Sequence, residues 1–243
     1  MKKNIRIDFQ YDGSNFRGSQ IQPGERTVQG EIENAIEIVT GQKISTIFSG
    51  RTDSGVHAYH QVLNFFVDTN IPSEKFIFAL RPHLPSDINL LSSYSVPHSF
   101  NARFSAKQRT YRYYIRDKRD VFLDRYRLIV NKIPSIDRLN ELNDLIIKAG
   151  NYKSMCSYKS STENFLCDIK NIEWFKEGEE LVFQITANRF LHNMIRIMVS
   201  VYLEYGNKNL DIKAVEKILI SKDRVHAPKT ISPTGLFLWK IEY

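Results

Sequence analysis

The sequence predicts an α+β fold in which paired strands are combined with helices. Hydrophobic residues make up 42% of the 243 residues and charged residues 25%, proportions typical of a chain that folds around a packed core. Segments with alternating polar and apolar residues indicate strands, and segments with apolar residues three and four positions apart indicate helices. The two kinds of segment do not follow the regular strand–helix repeat of a doubly wound sheet, which favours the α+β class.

The first hundred residues predict strands and helices separated by turns. The chain opens with a strand because Ile5, Ile7 and Phe9 alternate with polar residues, which gives the strand one apolar face. A helix follows Thr27 because apolar residues recur there at helical spacing, and Gly41 stands where a terminal glycine belongs. The predicted elements are a strand at 5–9, a helix at 27–40, strands at 44–48 and 61–68, a helix at 73–80 and a strand at 88–96.

The remaining residues predict a hairpin, three helices and two further strands. Gly150 and Asp211 support helix boundaries, because glycine commonly ends a helix and aspartate commonly caps the start of one. The pair Glu177-Gly178 supports a turn between two strands. The predicted elements are a strand at 110–116, a helix at 135–149, paired strands at 169–175 and 181–186, helices at 190–205 and 211–219, and a strand at 236–241.

The balance of charge predicts a polyanionic partner. The formal net charge is +7, and neutralising the phosphates of a nucleic acid releases counterions. Between Arg103 and Arg127, nine Lys or Arg residues stand against three acidic residues, with tyrosines interleaved. This pattern is typical of a surface that binds single-stranded or loop RNA, with Arg103, Arg109 and Arg112 as candidate substrate-binding residues. A solvated charged face is the alternative for any one of them.

Several kinds of site are not indicated by the sequence. Cys156 and Cys167 lack the spacing of a zinc site or a disulfide framework, and there is no GxGxxG or P-loop motif. No apolar run is long enough to span a membrane, and the residues after Met1 do not form the apolar stretch of a signal peptide. The prediction is a soluble, cytoplasmic protein with no metal, no cofactor and no membrane partner.

The segment 49–58 contains the densest group of candidate functional residues. Arg51, Asp53 and His57 lie there between two apolar strands, and glycines punctuate the segment, so a loop is predicted. An aspartate in such a loop commonly stabilises the turn itself, but loops held by a sheet are also frequent places for catalytic residues. Asp53 is the catalytic candidate, and Arg51 and His57 are substrate-binding candidates. His57 and His60 lack a third metal ligand, so a structural role is the alternative for both.

The residues around Asp53 resemble the signature of a known family. The tRNA pseudouridine synthase A family has a motif similar to Gly50-Arg51-Thr52-Asp53-Ser54-Gly55-Val56-His57-Ala58. Further blocks resemble the family in its own order along nearly the whole chain. They are Tyr11-Asp12-Gly13, Leu84-Pro85-Ser86-Asp87-Ile88, Asn101-Ala102-Arg103-Phe104-Ser105-Ala106, Tyr111-Arg112-Tyr113, Phe190-Leu191-His192-Asn193-Met194-Ile195-Arg196, Lys222-Asp223-Arg224 and Pro233-Thr234-Gly235-Leu236.

This resemblance implies a fold, a reaction and partners. The family's pseudouridine synthase fold has two α/β halves, with mainly antiparallel sheets flanked by helices and a central RNA-binding cleft. The corresponding parts of this chain are residues 1–105 and 106–243. The implied reaction is isomerisation of uridine to pseudouridine in the anticodon stem and loop of tRNA, without a metal or a cofactor. A homodimer is also implied, in which a tRNA contacts both subunits.

The resemblance also implies roles for individual residues. Asp53 matches the family's essential catalytic carboxylate, and Arg196 matches its charged partner. Tyr111 matches the tyrosine that lies against the target base, and Arg51 matches the arginine that helps to hold that base outside its stack. Asp53 could attack C1′ of the ribose or remove a proton from C2′, and the residues leave both open. The alternative function is a catalytically inactive RNA-binding protein of the same fold.

Two of these roles have structural alternatives. On a strand at 110–116, Tyr111 and Tyr113 share one face, so ordinary sheet packing is the alternative for these tyrosines. Arg196 could be a salt-bridged or snorkelling helix arginine. Its apolar neighbours make an unpaired charge costly, so the sequence predicts a partner for the guanidinium of Arg196.

The chain departs from the family pattern near its N-terminus. Ser19 stands where the family usually has a tryptophan. This difference predicts altered packing, or an altered RNA contact, near the N-terminus.

Overall fold

The computed structural model describes residues 2–158, 160 and 162–243, which form two compact units. Unit one comprises Met1–Arg109 and Phe237–Tyr243, and unit two comprises Thr110–Leu236. The C-terminal segment therefore groups with unit one, whereas the family resemblance implies a second half that continues to the end of the chain.

The strands and helices confirm the predicted α+β class. The strands are β1 (Lys3–Tyr11), β2 (Ile47–Phe48), β3 (His57–Val67), β4 (Ile88–Val96), β5 (Gln108–Arg116), β6 (Leu128–Ile129), β7 (Ile169–Glu177), β8 (Glu180–Ala187) and β9 (Leu236–Glu242). The helices are α1 (Val28–Thr40), α2 (Phe76–Leu80), α3 (Ile136–Asn140), α4 (Asn143–Ala149), α5 (Met194–Gly206) and α6 (Ile212–Ser221).

In unit one, the strands lie in the order β4-β1-β3-β9, and helices α1 and α2 contribute to the core. β1 is antiparallel to β3 and β4, and β9 runs parallel to β3 with Phe237 opposite His57. This pairing explains why the C-terminal segment belongs to unit one. The apolar residues of β1 that the alternation assigns to one face are completely buried, and they are Ile5, Ile7 and Phe9.

Helix α1 begins and ends as the sequence predicts. The side chain of Thr27 accepts a hydrogen bond from the amide of Gly30, which satisfies a backbone donor at the start of the helix. Gly41 follows the last turn with φ 68°, a left-handed conformation that strains other residues. The predicted apolar positions are buried along one side of the helix, and they include Val28, Ile32 and Ile36.

The prediction of one helix at 135–149 is wrong, because the structure has two helices with a break after Asn140. The Asn140 side chain accepts a hydrogen bond from the amide of Trp174, and Asn143 donates one to the carbonyl of Ile172. Both bonds attach the helical segment to strand β7. Tertiary hydrogen bonds of this kind outweigh the weak preference of the local spacing for a continuous helix.

Three further boundaries differ from the prediction. The strand predicted at 44–48 is reduced to the two residues of β2, and β3 begins at His57 instead of residue 61. The helix predicted from residue 190 begins only at Met194, because Asn193 before it has a left-handed φ of 62°. A left-handed residue cannot continue a right-handed helix, and asparagine tolerates this conformation better than most residues.

In unit two, the strands lie in the order β5-β8-β7, and the short β6 runs parallel to β5. β7 and β8 form the predicted antiparallel hairpin, with Gly178 at φ 61° in its turn. The core contains Trp174, Phe183 and Tyr202, whose ring centroids lie 4.8 to 5.5 Å apart. Burial of each such ring stabilises the fold by about 2 kcal/mol.

Candidate functional site

Asp53 lies on a tight turn immediately before strand β3. Its carbonyl accepts a hydrogen bond of 3.1 Å from the amide of Val56, and Gly55 within the turn has φ 77°. The aspartate is half-buried. The loop predicted at 49–58 therefore ends at Val56, because the next residue already pairs with β9. A short turn attached to a sheet holds the backbone of Asp53 in a defined position, from which its carboxylate projects.

The backbone of residues 13–18 approaches this turn closely. A Cβ atom on Gly13 would lie 2.0 Å from the carbonyl oxygen of Val56, so only glycine fits there. Gly18 has φ 97°, and a Cβ atom on it would lie 2.9 Å from the carbonyl oxygen of Thr52. The Tyr11-Asp12-Gly13 block recognised in the sequence therefore packs directly against the segment that contains Asp53.

His57 also contacts the Asp12-Gly13 segment that packs against the turn at Asp53. Its ring is 1% exposed and stacks on Phe237 with centroids 4.7 Å apart. Its Nδ1 atom lies 3.0 Å from the amide nitrogen of Gly13 and 3.1 Å from a carboxylate oxygen of Asp12. Burial and these contacts favour a supporting role for His57 behind the loop over direct contact with a substrate.

The basic candidates of unit one differ in exposure. Arg51 and Arg103 are exposed, whereas Arg109 is half-buried. The Arg109 guanidinium donates hydrogen bonds of 2.7 Å to the carbonyl of Ser49 and 2.8 Å to the carbonyl of Arg103. Arg109 thus joins the start of the loop that contains Asp53 to the segment around residue 103. Arg51 and Arg103 present their charge to solvent.

Two tyrosines of β5 in unit two, Tyr111 and Tyr113, are buried, whereas residues that only bind RNA at a surface are exposed. Tyr111 is 7% exposed and meets Phe190 at a ring-centroid distance of 5.1 Å and an interplanar angle of 82°. Tyr113 is completely buried, and its hydroxyl donates to the carbonyl of Ser232. The sheet-packing interpretation therefore applies to Tyr113, and the Tyr111 ring packs edge-to-face against Phe190.

Two arginines of unit two have protein acceptors. Arg196 is half-buried in the first turn of α5, and its guanidinium donates to the carbonyl of Ile231 at 2.8 Å and to the Asn193 side chain at 2.7 Å. These acceptors agree with the expectation that a cation in an apolar helix needs a partner. Arg112 donates to the Gln184 side chain at 2.8 Å and also contacts a glutamate of the β7–β8 hairpin.

Two buried polar residues next to the loop were not predicted from the sequence to contact it. Ser19 is 1% exposed and Gln61 is completely buried, and both form hydrogen bonds with residues 49–52. The available signals were a glutamine inside an otherwise apolar strand and the departure of Ser19 from the family pattern. Local spacing does not indicate which loop such residues contact.

Metal-binding and membrane-spanning features are absent from the part of the chain that the structure describes. There, no group of three His, Cys, Asp or Glu side chains is arranged to hold a metal ion, and no helix is long and apolar enough to cross a bilayer. Cys156 and Cys167 are buried free thiols, and burial raises the pKa of Cys167 to about 11. A thiol in this state is a poor nucleophile and a poor metal ligand.

Comparisons with known proteins identify similar sequences over almost the entire chain. A family model described as tRNA pseudouridine synthase matches residues 9–105 and 150–243. The tRNA pseudouridine synthase A of Anoxybacillus flavithermus is 40% identical over 99% of this chain and 99% of that protein. The protein of the same name from Caldicellulosiruptor bescii is 38% identical over 99% of this chain and its own full length. A third, from a Geobacillus species, is 38% identical over 100% of this chain.

Proposed function

Since this chain belongs to the tRNA pseudouridine synthase family and is an isomerase that acts on tRNA, we propose that its target uridines lie in the anticodon stem and loop and that Asp53 is the catalytic carboxylate. The motif around Asp53 supports this assignment by its resemblance to the family signature. The structural observation behind it is the turn at Asp53, which close backbone contacts from residues 13–18 hold in place.

The reaction makes specific demands on a carboxylate. The C1′–N1 bond of uridine breaks, the uracil turns over and a C1′–C5 bond forms. The proton at C5 leaves to solvent, and N1 takes up a proton from solvent. The exchange is balanced and needs no external electrons, so the proposal includes no cofactor. Asp53 acts either as a nucleophile at C1′ or as a base at C2′, and both roles need the ionised carboxylate.

Other residues are proposed for the roles that the family resemblance gives them. Tyr111 stacks against the target base, Arg51 stabilises the flipped-out nucleotide, and Arg196 supplies positive charge for the reaction. The edge-to-face packing of Tyr111 on Phe190 supports the first role, because a packed ring loses little rotamer freedom when a base stacks on it. The same proposal includes a homodimer located in the cytoplasm. Sedimentation of the protein with and without tRNA measures the number of subunits in the complex.

Release of tritium from uridine C5 tests the proposed reaction directly. A tRNA transcript labelled at C5 is expected to lose tritium to water, because the new carbon–carbon bond forms at that atom. A transcript with cytidines at the uridine positions of the anticodon stem and loop is the matched control and should retain its label. A bound tRNA that releases no tritium would contradict the proposal and indicate a protein that only binds RNA.

Binding of tRNA is expected to weaken steeply as salt is added, since phosphate contacts release counterions. Arg103→Gln is expected to lower the slope of log Kobs against log salt by about one. Arg103 is the preferred phosphate contact because the Arg109 and Arg112 guanidinium groups already donate to protein acceptors. Filter binding over a salt series measures the slope.

The control for this measurement is Lys213→Gln, which removes an exposed charge on helix α6. Its slope should equal that of the wild-type protein. A salt response that is flat, or that Arg103→Gln leaves unchanged, would contradict the assignment of the segment 103–127 to phosphate binding.

A further inference from the structure

The residue before Asp53 is held through all of its polar groups. The Thr52 amide donates a hydrogen bond of 2.9 Å to the hydroxyl of Ser19, and the Thr52 carbonyl accepts one of 3.1 Å from the Ser19 amide. The Thr52 hydroxyl lies 2.7 Å from the hydroxyl of Tyr11. The carbonyl of Thr52 belongs to the peptide group that joins it to Asp53, so these bonds restrain the orientation of Asp53.

These contacts lie in a buried environment. Ser19 is 1% exposed, Tyr11 4% and Thr52 7%. Buried hydrogen bonds are shielded from competing water, and removal of one partner leaves the other unsatisfied. Gly18 makes the approach possible, because its φ of 97° and its missing Cβ bring the chain against the carbonyl of Thr52.

A second set of buried polar contacts holds the start of the same loop. Gln61 accepts a hydrogen bond of 2.6 Å from the Ser49 hydroxyl and donates one of 3.0 Å to the carbonyl of Gly50. Burial raises the pKa of the Tyr11 hydroxyl to about 12, so the group that contacts Thr52 stays protonated. The loop is thus restrained on both sides of Arg51, and Ser19 contacts the residue immediately before Asp53.

We propose that Ser19 is a positioning residue for the catalytic carboxylate of Asp53. The inference rests on the proposed role of Asp53 and adds to it a residue outside the recognised motifs. An aliphatic or indole side chain at this position has no atom that can accept the Thr52 amide hydrogen. This chain therefore holds the loop with a side-chain hydrogen bond that depends on the Ser19 hydroxyl.

The test compares single-turnover tritium release, tRNA affinity and amide hydrogen exchange in three variants. Ser19→Ala removes the acceptor and is expected to lower the single-turnover rate about tenfold, with tRNA affinity within about twofold of wild type. The amide of Thr52 should exchange faster in Ser19→Ala. Ser19→Thr keeps the acceptor oxygen and should recover most of the rate and the slow exchange.

Ser93→Ala is the matched control within unit one. Ser93 is also buried, and its hydroxyl accepts a hydrogen bond from the amide of Ile77, away from the catalytic loop. The substitution removes a comparable contact and should leave the single-turnover rate unchanged. An equal loss of rate in Ser93→Ala and Ser19→Ala would mean general destabilisation and would overturn the inference.

Other results would also overturn it. Ser19→Ala with a wild-type rate, or with an unchanged exchange rate at Thr52, would exclude positioning through this bond. Weaker tRNA binding at an unchanged rate would make Ser19 an RNA contact instead. If the wild-type protein releases no tritium, the proposed function fails, and the catalytic role of Ser19 fails with it. Amide exchange at Thr52 would still report the hydrogen bond and so distinguishes the two failures.

Discussion

Asp53→Asn is expected to reduce tritium release from uridine C5 by about 10³-fold or more while tRNA affinity changes little. The amide has nearly the size of the carboxylate, so the turn and the RNA-binding surface are preserved. It is neutral, however, and serves neither as a nucleophile at C1′ nor as a base at C2′. Losses of this order accompany removal of a catalytic carboxylate in other enzymes. Single-turnover release and filter binding on the same preparation separate the two effects.

The control for Asp53→Asn is Asp68→Asn, the same change at an exposed carboxylate just after strand β3. Its rate of tritium release and its tRNA affinity should match those of the wild-type protein. A rate for Asp53→Asn above about one tenth of the wild-type value would reject Asp53 as the catalytic residue. Parallel losses of rate and affinity would instead assign Asp53 to RNA binding.

Gly13→Ala is expected to lower the free energy of unfolding by about 3 kcal/mol and to impair turnover. The new Cβ would lie 2.0 Å from the carbonyl oxygen and 2.5 Å from the carbonyl carbon of Val56. Both are backbone atoms, so no side-chain rotation relieves the clash. Because the amide of Val56 closes the turn at Asp53, a displaced Val56 also moves Asp53, the proposed catalytic residue. Urea unfolding and tritium release measure the two consequences.

Gly50→Ala is the matched control, since it adds a methyl group in the same loop. The nearest atom to its Cβ would be Nε of Arg109 at 3.7 Å, an ordinary contact. The free energy of unfolding should change by less than about 0.5 kcal/mol. Equal stability of the two variants would show that residue 13 does not meet the loop as closely as the structure indicates.

Elements with a strong local pattern were predicted well. Helix α1 has a threonine cap, helical spacing and a terminal glycine, and all three act within the helix itself. The prediction of one continuous helix at 135–149 is wrong because the Asn140 and Asn143 side chains form hydrogen bonds with strand β7. Those partners are about 30 residues away in the sequence, so spacing within the segment does not reveal them.

The roles of the candidate site residues stay predictions, and the structure adds where those residues lie. The motif around Asp53 is contiguous in the sequence, and together with the further blocks in family order it indicated the family. The sequence did not connect Ser19 or Gln61 with the loop, because a serine or a glutamine has no local pattern that indicates a distant partner. His57 was a substrate-binding candidate, and its burial against Phe237 came to light only when β3 and β9 were seen to pair.

The sequence alone determined the family, the reaction class and the candidate catalytic aspartate, because these depend on residue types at short, characteristic spacings. The tertiary structure decided which residues support that aspartate and that the last strand completes unit one. Both depend on pairs far apart in the chain, such as Ser19 with Thr52 and His57 with Phe237. Such pairs form only when the whole chain folds, because bringing distant segments together costs conformational entropy that local contacts alone do not offset.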